Sequence, residues 1–293
     1  MSTIKSISVG NGDMFYIVHN SDNFTQIDTN MIAEYIDDIL DDIKTAKSGK
    51  GISRFISTHP DQDHIAGLER LDEEIGIENF YCVKNNVLKD PETSDFKHYK
   101  TLRDSSKVFN IYKGCSRKWM NVSDDDRGSS GITIRWPDTS SENFKEALND
   151  ANEGKGANNI SPIITYSVEE GINAMWMGDL ETDFLEKIES EVSWKKQNVL
   201  FVPHHGRASG KIPNSILKLI DPDIVVIGEA PSDHLDYYDG YNSITQNSAK
   251  DIWFECSSGW VDIYVSSKNY SIDFLEDRGL TDSERNYIGS LAV

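Results

Sequence analysis

The strongest chemical signal in the chain is the run Thr58-His59-Pro60-Asp61-Gln62-Asp63-His64, in which four side chains carry metal-ligating atoms within six residues. His59, Asp61 and Asp63 share one side of an extended turn, and His64 opens the following helix. Imidazoles and carboxylates at this density suit a first-row divalent metal. Pro60 fixes the backbone and blocks a simple helical continuation. A polar loop with a capping aspartate is the plainer reading, but it would have to imitate several ligands at once. Two further clusters weaken it. Gly178-Asp179 closes the apolar run NAMWMGD, and Pro203-His204-His205-Gly206 closes VLFVP. Alone, the first is an ordinary turn and the second a structural histidine pair. Together with the first cluster they supply ligands for two metals, at strand ends of the kind where α/β sites assemble.

The elements that must position these residues follow from apolar periodicity. Residues 3–9, 14–19 and 23–28 read as strands, the first two joined through Gly10-Asn11-Gly12-Asp13. Ile32, Tyr35, Ile36, Ile39, Leu40 and Ile43 form one stripe of a helix over 31–47, leaving Asp37, Asp38, Asp41 and Asp42 on the solvated face. A strand at 52–58, a helix at 65–75 and a strand at 78–83 surround the first cluster. Residues 84–131 are polar and turn-rich, an insertion with one or two short helices and a solvated Asp124-Asp125-Asp126 loop. Beyond it come a strand at 132–136, a helix near 141–151 and a hairpin of 162–168 with 172–178. A helix at 180–190, a strand at 198–203, a helix at 213–220 and a strand at 223–228 follow. The tail reads as strands at 252–256, 260–266 and 270–274. Strands alternating with helices in this way predict an α/β fold whose sheets are covered by helices on their outer faces. With no long linker, residues 1–293 are expected to form one domain.

Composition narrows the partners. With 29 basic and 49 acidic side chains the formal charge is −20, which provides no footprint for gripping duplex nucleic acid by phosphate neutralisation. The start MSTIKSISVGNGD has no apolar run of signal-peptide length, and no run of about 18 apolar residues suggests a membrane span. Cys82, Cys115 and Cys256 are scattered and lack a CxxC pair, so neither a disulfide framework nor a zinc ribbon is expected. A cytoplasmic setting fits these features, and a protein partner or homo-oligomer stays open.

The motifs taken in order resemble the metallo-β-lactamase fold, and specifically the hydrolase domain of the ComEC family of DNA-uptake proteins and its stand-alone relatives. That family's DVGQGD-like opening is matched by Ser8-Val9-Gly10-Asn11-Gly12-Asp13 and its LIDTG by Gln26-Ile27-Asp28-Thr29-Asn30. SHPDxDHxGG is matched from Thr58 to Leu68, with Gly67 retained. An Asn-Asn-x-Ser element is matched by Asn158-Asn159-Ile160-Ser161, GD by Gly178-Asp179 and HHG by His204-His205-Gly206. A later element is matched weakly at Ile227-Gly228 and His234, where Leu235 replaces a proline. The likeness runs from about residue 4 to 275.

The resemblance implies a four-layer αβ/βα sandwich with the metal site at the open edge between two sheets. Asp63, His64 and Asp179 would hold one metal, completed by His204 or His205. His59 and Asp61 would face a second position, bridged by Asp179. The commoner HxHxDH of this fold has histidine where Asp61 stands, and its next histidine falls in the Asn158/Asn159 region. The second position is therefore harder, more oxygen-rich and weaker than the first, favouring manganese or magnesium over zinc or standing empty until substrate arrives, so that one or two divalent metals are expected. Asp13 and Asp28 are expected to support the loop by hydrogen bonds rather than to bind metal.

The expected activity is metal-dependent hydrolysis by a metal-bound hydroxide, with a phosphodiester of nucleic acid or a nucleotide as substrate. Asp61 or Asp63 would orient the water. His234 or the non-ligating member of the histidine pair would protonate the leaving group. Asn159, Ser161 and Arg207 would face the substrate, Arg207 through a phosphate oxygen, with a plain surface arginine as the equal alternative. Hydrolysis of a lactam, lactone or thioester is a second reading, eroded by Asp61. A binding module without metal is a third, against which the retained histidines and aspartates argue.

Overall fold

The computed structural model describes residues 1–31, 35–229 and 236–293. In chain order the first half contains β1 (Ser2–Ser6), β2 (Phe15–Val18), β3 (Asn23–Ile27), β4 (Thr29–Asn30), α1 (Ile36–Lys47), β5 (Ile52–Ser57), α2 (Gln62–Ile65), α3 (Leu68–Ile75), β6 (Phe80–Cys82), α4 (Ser94–Arg103) and β7 (Val108–Asn110). The second half continues with β8 (Ile132–Trp136), α5 (Glu142–Asn152), β9 (Ile163–Ser167), β10 (Asn173–Trp176), α6 (Thr182–Ile188), β11 (Val199–Phe201), α7 (Asn214–Ile220) and β12 (Ile224–Ile227). The last elements are β13 (Ser243–Thr245), α8 (Gln246–Ala249), β14 (Ile252–Ser257), β15 (Trp260–Val265) and β16 (Asn286–Ala292).

Two mixed sheets form from these strands, ordered β16-β15-β14-β1-β2-β3-β5-β6-β7 and β13-β12-β11-β10-β9-β8. Each changes from antiparallel hairpins to parallel strands. In the first sheet β3, β5, β6 and β7 run parallel, and in the second β10 to β13 do. The sheets pack face to face through aromatic side chains: Phe15 of β2 meets Trp176 of β10 and Phe201 of β11 edge-on, with centroids 6.1 and 5.1 Å apart. Phe254 of β14 adds a third such contact with Phe201 at 5.8 Å. Trp176 stacks on Phe201 at 4.7 Å and is buried, so it belongs to this inter-sheet core. Helices cover the outer faces. α1 and α4 lie on β2 and β6, and Trp136 of β8 packs edge-on against Phe144 of α5 and Phe184 of α6. The order of layers is helix, sheet, sheet, helix, the αβ/βα sandwich expected from the sequence.

Several elements differ from their sequence reading, each for a local reason. The helix expected over 65–75 is two helices, because Gly67 adopts φ 80° and breaks α2 from α3. Asp42 is not purely solvated: its Oδ2 lies 2.9 Å from the ammonium of Lys5, which is buried and also sits 3.0 Å from Asp251. Part of the stripe assigned to the 31–47 helix, including Ile32, lies outside the described residues. Residues 270–274 alternate like a strand but form none. Their neighbourhood is tied down by Asn286, whose Nδ2 donates to the carbonyls of Ser267 and Tyr270. The last strand is instead β16, hidden in the sequence because Gly289 and polar residues interrupt its apolar pattern. Within 84–131 the chain forms α4 and also β7, a short edge strand parallel to β6. The three cysteines are buried and free. No helix among the described residues is long and apolar enough to cross a membrane.

Candidate metal centre

Both sheets deliver their chemistry at the same edge. The turn after β1 carries Asp13, β3 ends in Asp28, and β5 runs into His59, Asp61, Asp63 and His64. From the facing sheet β10 runs into Asp179, and β11 into His204 and His205. The C-terminal ends of parallel strands are open to such a site because the following loops need not stay in the ladder.

Asp179 is the hub. The Nε2 atoms of four imidazoles face its carboxylate: His64 at 3.0 Å, His205 at 3.6 Å, His204 at 3.7 Å and His59 at 3.9 Å. The opposite nitrogen, Nδ1, is held from behind in every case. His64 Nδ1 donates to Asp28 at 2.9 Å, and His205 Nδ1 donates to Asp13 at 3.0 Å. His59 Nδ1 sits 3.1 Å from Thr58 Oγ1 and 3.3 Å from Ser161 Oγ, and His204 Nδ1 sits 2.9 Å from Ser209 Oγ. A carboxylate can only accept, so Asp28 and Asp13 fix a proton on Nδ1 and turn Nε2 of His64 and His205 into the site. Thr58 also donates to Asp28, Oγ1 to Oδ2 at 2.5 Å, which ties His59 and His64 to one anchor.

The donor atoms aimed inward have no hydrogen-bond partner of their own. His59 Nε2, His64 Nε2, His205 Nε2 and Asp179 Oδ1 are all buried and unpartnered. His64 Nε2 and Asp179 Oδ1 are 3.0 Å apart but not aligned as donor and acceptor, so proximity alone does not satisfy either. Buried polar atoms are normally paired, and a converging set of orphans of this chemistry fits a divalent ion. Asp13, His64, Asp179 and His205, all buried, each bring one atom within 4.8 Å of the others. Of these, Asp13 is also engaged on the far nitrogen of His205, and Asp63 places its Oδ2 3.6 Å from His205 Nε2.

Backbone and electrostatics carry the marks of a built site. Asp28, His204 and His205 all adopt positive φ, at 54°, 53° and 55°, a conformation costly for residues other than glycine. Burial lowers a histidine, yet the charge of Asp179 and the hydrogen bond to Asp28 hold His64 well above its ordinary range. Against the same burial, Asp13 and Asp179 push His205 up to about 10. Burial and the neighbouring His64 bring His59 down to about 4, and burial lowers His204. Burial alone would raise Asp179, but His64 and His205 hold it well below the carboxylate range. Burial of Asp63 is likewise outweighed by its His205 contact, leaving it at about 2. For Asp28 burial prevails, and its carboxyl is raised despite the bonds from His64 and Thr58.

The other sequence-predicted residues fall around this cluster. Asp61 faces His59, Oδ2 to Nε2 at 3.7 Å, and its Oδ1 binds Lys89 at 2.5 Å. Asn159 is turned to Glu181, donating to its carboxylate at 2.8 Å and accepting its backbone N–H. Ser161 is buried, and besides facing His59 its Oγ accepts the Asp179 N–H. Arg207 is half-buried and donates to Asn11, on the loop that carries Asp13. His234 lies outside the described residues. The histidine pair divides its work: His205 is buried on Asp13 and Asp63, while His204 is more open and approaches Asp179 from Ser209. Sequence reading missed Lys89, which stands in the 84–131 segment with no motif to mark it, and the anchoring roles of Thr58 and Ser209.

Gly178 explains how Asp179 gets so close. It has φ 51°, and a Cβ there would come 2.7 Å from Ser161 Oγ and 2.9 Å from Thr58 Cβ. Gly178→Ala is expected to cost about 2 kcal/mol or more of stability from overpacking and left-handed backbone strain. A urea melt of the metal-free protein measures it, and an unchanged midpoint would contradict this packing.

No protein-family model matches the chain, and no curated protein does. Among solved structures the chain is similar to Igni18, a metallo hydrolase from the archaeon Ignicoccus hospitalis. The TM-score is 0.48 and the identity 14%, over 86% of this chain and 99% of that one. It is also similar to CmlA, a diiron beta-hydroxylase from Streptomyces venezuelae, with a TM-score of 0.44 and 12% identity over 78% of this chain and 44% of that one. Fold and site together define an αβ/βα protein with a buried imidazole–carboxylate cluster of metal-binding geometry.

Proposed function

We propose that this protein is a metal-dependent hydrolase acting on phosphodiesters, of nucleotide size or in a short single strand. The observation that carries the metal reading is the convergence of four Nδ1-anchored imidazoles on Asp179, with buried donor atoms left unpartnered. A bound divalent ion supplies a Lewis acid and lowers the pKa of a water on its open face toward neutrality.

The chain's own residues do the rest. Asp63, His64, Asp179 and His205 would hold the ion, zinc, manganese, magnesium and iron(II) all being compatible with nitrogen and oxygen donors. Asp28 and Asp13 keep His64 and His205 turned inward, and Ser161 holds the Asp179 backbone and His59 together. Asp61, at the mouth, can accept a proton from an attacking water. Burial keeps His204 neutral, which suits it to take up a proton rather than to start as the acid that protonates a leaving group. Asp61 in place of a histidine makes the outer part of the cluster oxygen-rich, which favours phosphoryl over acyl chemistry. Arg207 and Lys89 are the cations reaching the site's loops. The −20 charge selects against long duplexes and for a small substrate or delivery by a partner.

The test is hydrolysis of bis-p-nitrophenyl phosphate and a short single-stranded DNA by purified protein with manganese, zinc or chelator. Turnover is expected with metal, and is expected to vanish with chelator and in His64→Ala. A protein that binds metal stoichiometrically yet cleaves neither substrate would overturn the phosphodiester assignment.

A further inference from the structure

The two oxygens of Asp61 face different partners. Oδ2 lies 3.7 Å from His59 Nε2, where a second ion could join them, and Oδ1 lies 2.5 Å from the ammonium of Lys89. We propose that Lys89 takes the electrostatic place of a second metal, so that the cluster loads one divalent ion tightly and the His59–Asp61 position stays metal-poor. The inference rests on the metal reading given above and adds a residue and a stoichiometry to it.

The charge distribution supports an uneven pair of positions. Around Asp63, His64, Asp179 and His205 two carboxylates would face an ion. None of the ion pairs among the described residues puts a lysine or arginine on Asp63 or Asp179. At the other position Asp61 is the one carboxylate not shared, and its charge is already matched by an ammonium at hydrogen-bond distance. A dication on Oδ2 would share that carboxylate with the lysine on Oδ1, and like charges this close repel strongly where water is partly excluded. Asp179 offers that position only its Oδ2, 3.9 Å from His59 Nε2 and already shared with His204 and His205 at 3.7 and 3.6 Å, since its Oδ1 is turned to His64.

Lys89 is also held where it is. Its side chain is 30% exposed, and its ammonium lies 5.8 Å from the centre of the Phe96 ring. The nearby Glu92 is taken by Lys100, so it does not draw Lys89 away from Asp61. Asp61 and Lys89 line one wall of a cavity of about 770 Å³ shared with Val87, Pro91 and Ala157. The segment that supplies the lysine thus also shapes the space beside the metal centre.

The experiment is a manganese titration of chelator-stripped protein, followed by the electron paramagnetic resonance of free ion and by metal analysis of the desalted protein. Wild type is expected to retain one manganese per chain. In Lys89→Met, which keeps the stem over Phe96, a second equivalent should bind at least tenfold more tightly than in wild type and give a spin-coupled signal. Lys89→Arg should behave as wild type. Two equivalents of matching affinity in wild type would overturn the proposal, as would a second-site affinity in Lys89→Met within twofold of wild type. Should Lys89→Met lose its native circular dichroism, Lys89→Gln serves in its place. A tight first equivalent with an unmoved second sinks this inference alone. Absence of any tight equivalent in wild type sinks the metal reading with it.

Discussion

Asp179→Asn should remove the tight metal equivalent and lower hydrolysis roughly a thousandfold or more, because every imidazole of the cluster is arranged around that one carboxylate. The substitution keeps the shape and deletes the charge. In the metal-free protein it also strips His64 and His205 of a buried counter-ion. Removing one partner of a buried pair costs about 3–5 kcal/mol, so the unfolding midpoint in chelator should fall as well. Asp28→Asn and Asp13→Asn should behave differently. These carboxylates meet only the Nδ1 side of His64 and His205, so their loss lets the rings turn without removing a donor. About 10–100-fold in metal affinity is the expected scale for such orienting groups. Isothermal titration of the three variants separates the cases. If Asp13→Asn were as damaging as Asp179→Asn, Asp13 would be a ligand, as its place within 4.8 Å of the other donors allows.

What was legible in the sequence and what was not divides along chain distance. The loop from His59 to His64 announces itself because its ligands are neighbours in sequence, and Gly178-Asp179 and His204-His205 because each closes an apolar strand. Their common position at one edge follows from strand direction. The connections between them are another matter. Asp13 reaches His205 across 192 positions and Lys89 reaches Asp61 across 28, and neither pairing has a local signature. Asp13 and Asp28 could be assigned a supporting role from their strand ends, but which imidazole each would hold depends on how the two sheets face. The same limit applies to architecture. Buried strands declare themselves as apolar runs, whereas β7, β13 and β16 are short or polar and become strands by completing an edge that the core strands have already set. That is tertiary context overriding local preference. The alternating stretch 270–274 is the reverse case, a strand-like pattern that stays outside the ladder, the chain bridging to the β16 edge only at Glu276–Ser290.

The electrostatics of the cluster make metal, protons and stability one equilibrium. In the metal-free protein His205 is held at about 10 and His64 well above its ordinary value near 6.5, chiefly because Asp179, Asp13 and Asp28 outweigh burial. A group whose folded pKa is raised contributes stability that is complete below its unfolded pKa and is lost as pH climbs through the folded one. The stability of chelator-treated protein should therefore decline from about pH 6.5 toward pH 10, by several kcal/mol, since each tenfold gain in proton affinity on folding is worth roughly 1.4 kcal/mol. On the acid side His59, brought down to about 4, acts oppositely: between 6.5 and 4 the unfolded chain takes up a proton that the folded chain refuses. The metal-free optimum should thus fall near pH 6.5. Metal must displace the protons on His64 and His205, so binding at pH 7 should release about two protons per ion. Its affinity should then rise about a hundredfold per pH unit while both imidazoles remain protonated. Calorimetric titration in two buffers of different ionisation enthalpy counts the protons. A count near zero would mean that the imidazoles are already neutral before metal arrives, and would overturn the view of Asp179 as a carboxylate held charged by its histidines. With metal bound, the ion replaces both protons as the partner of Asp179, and the alkaline loss of stability should disappear.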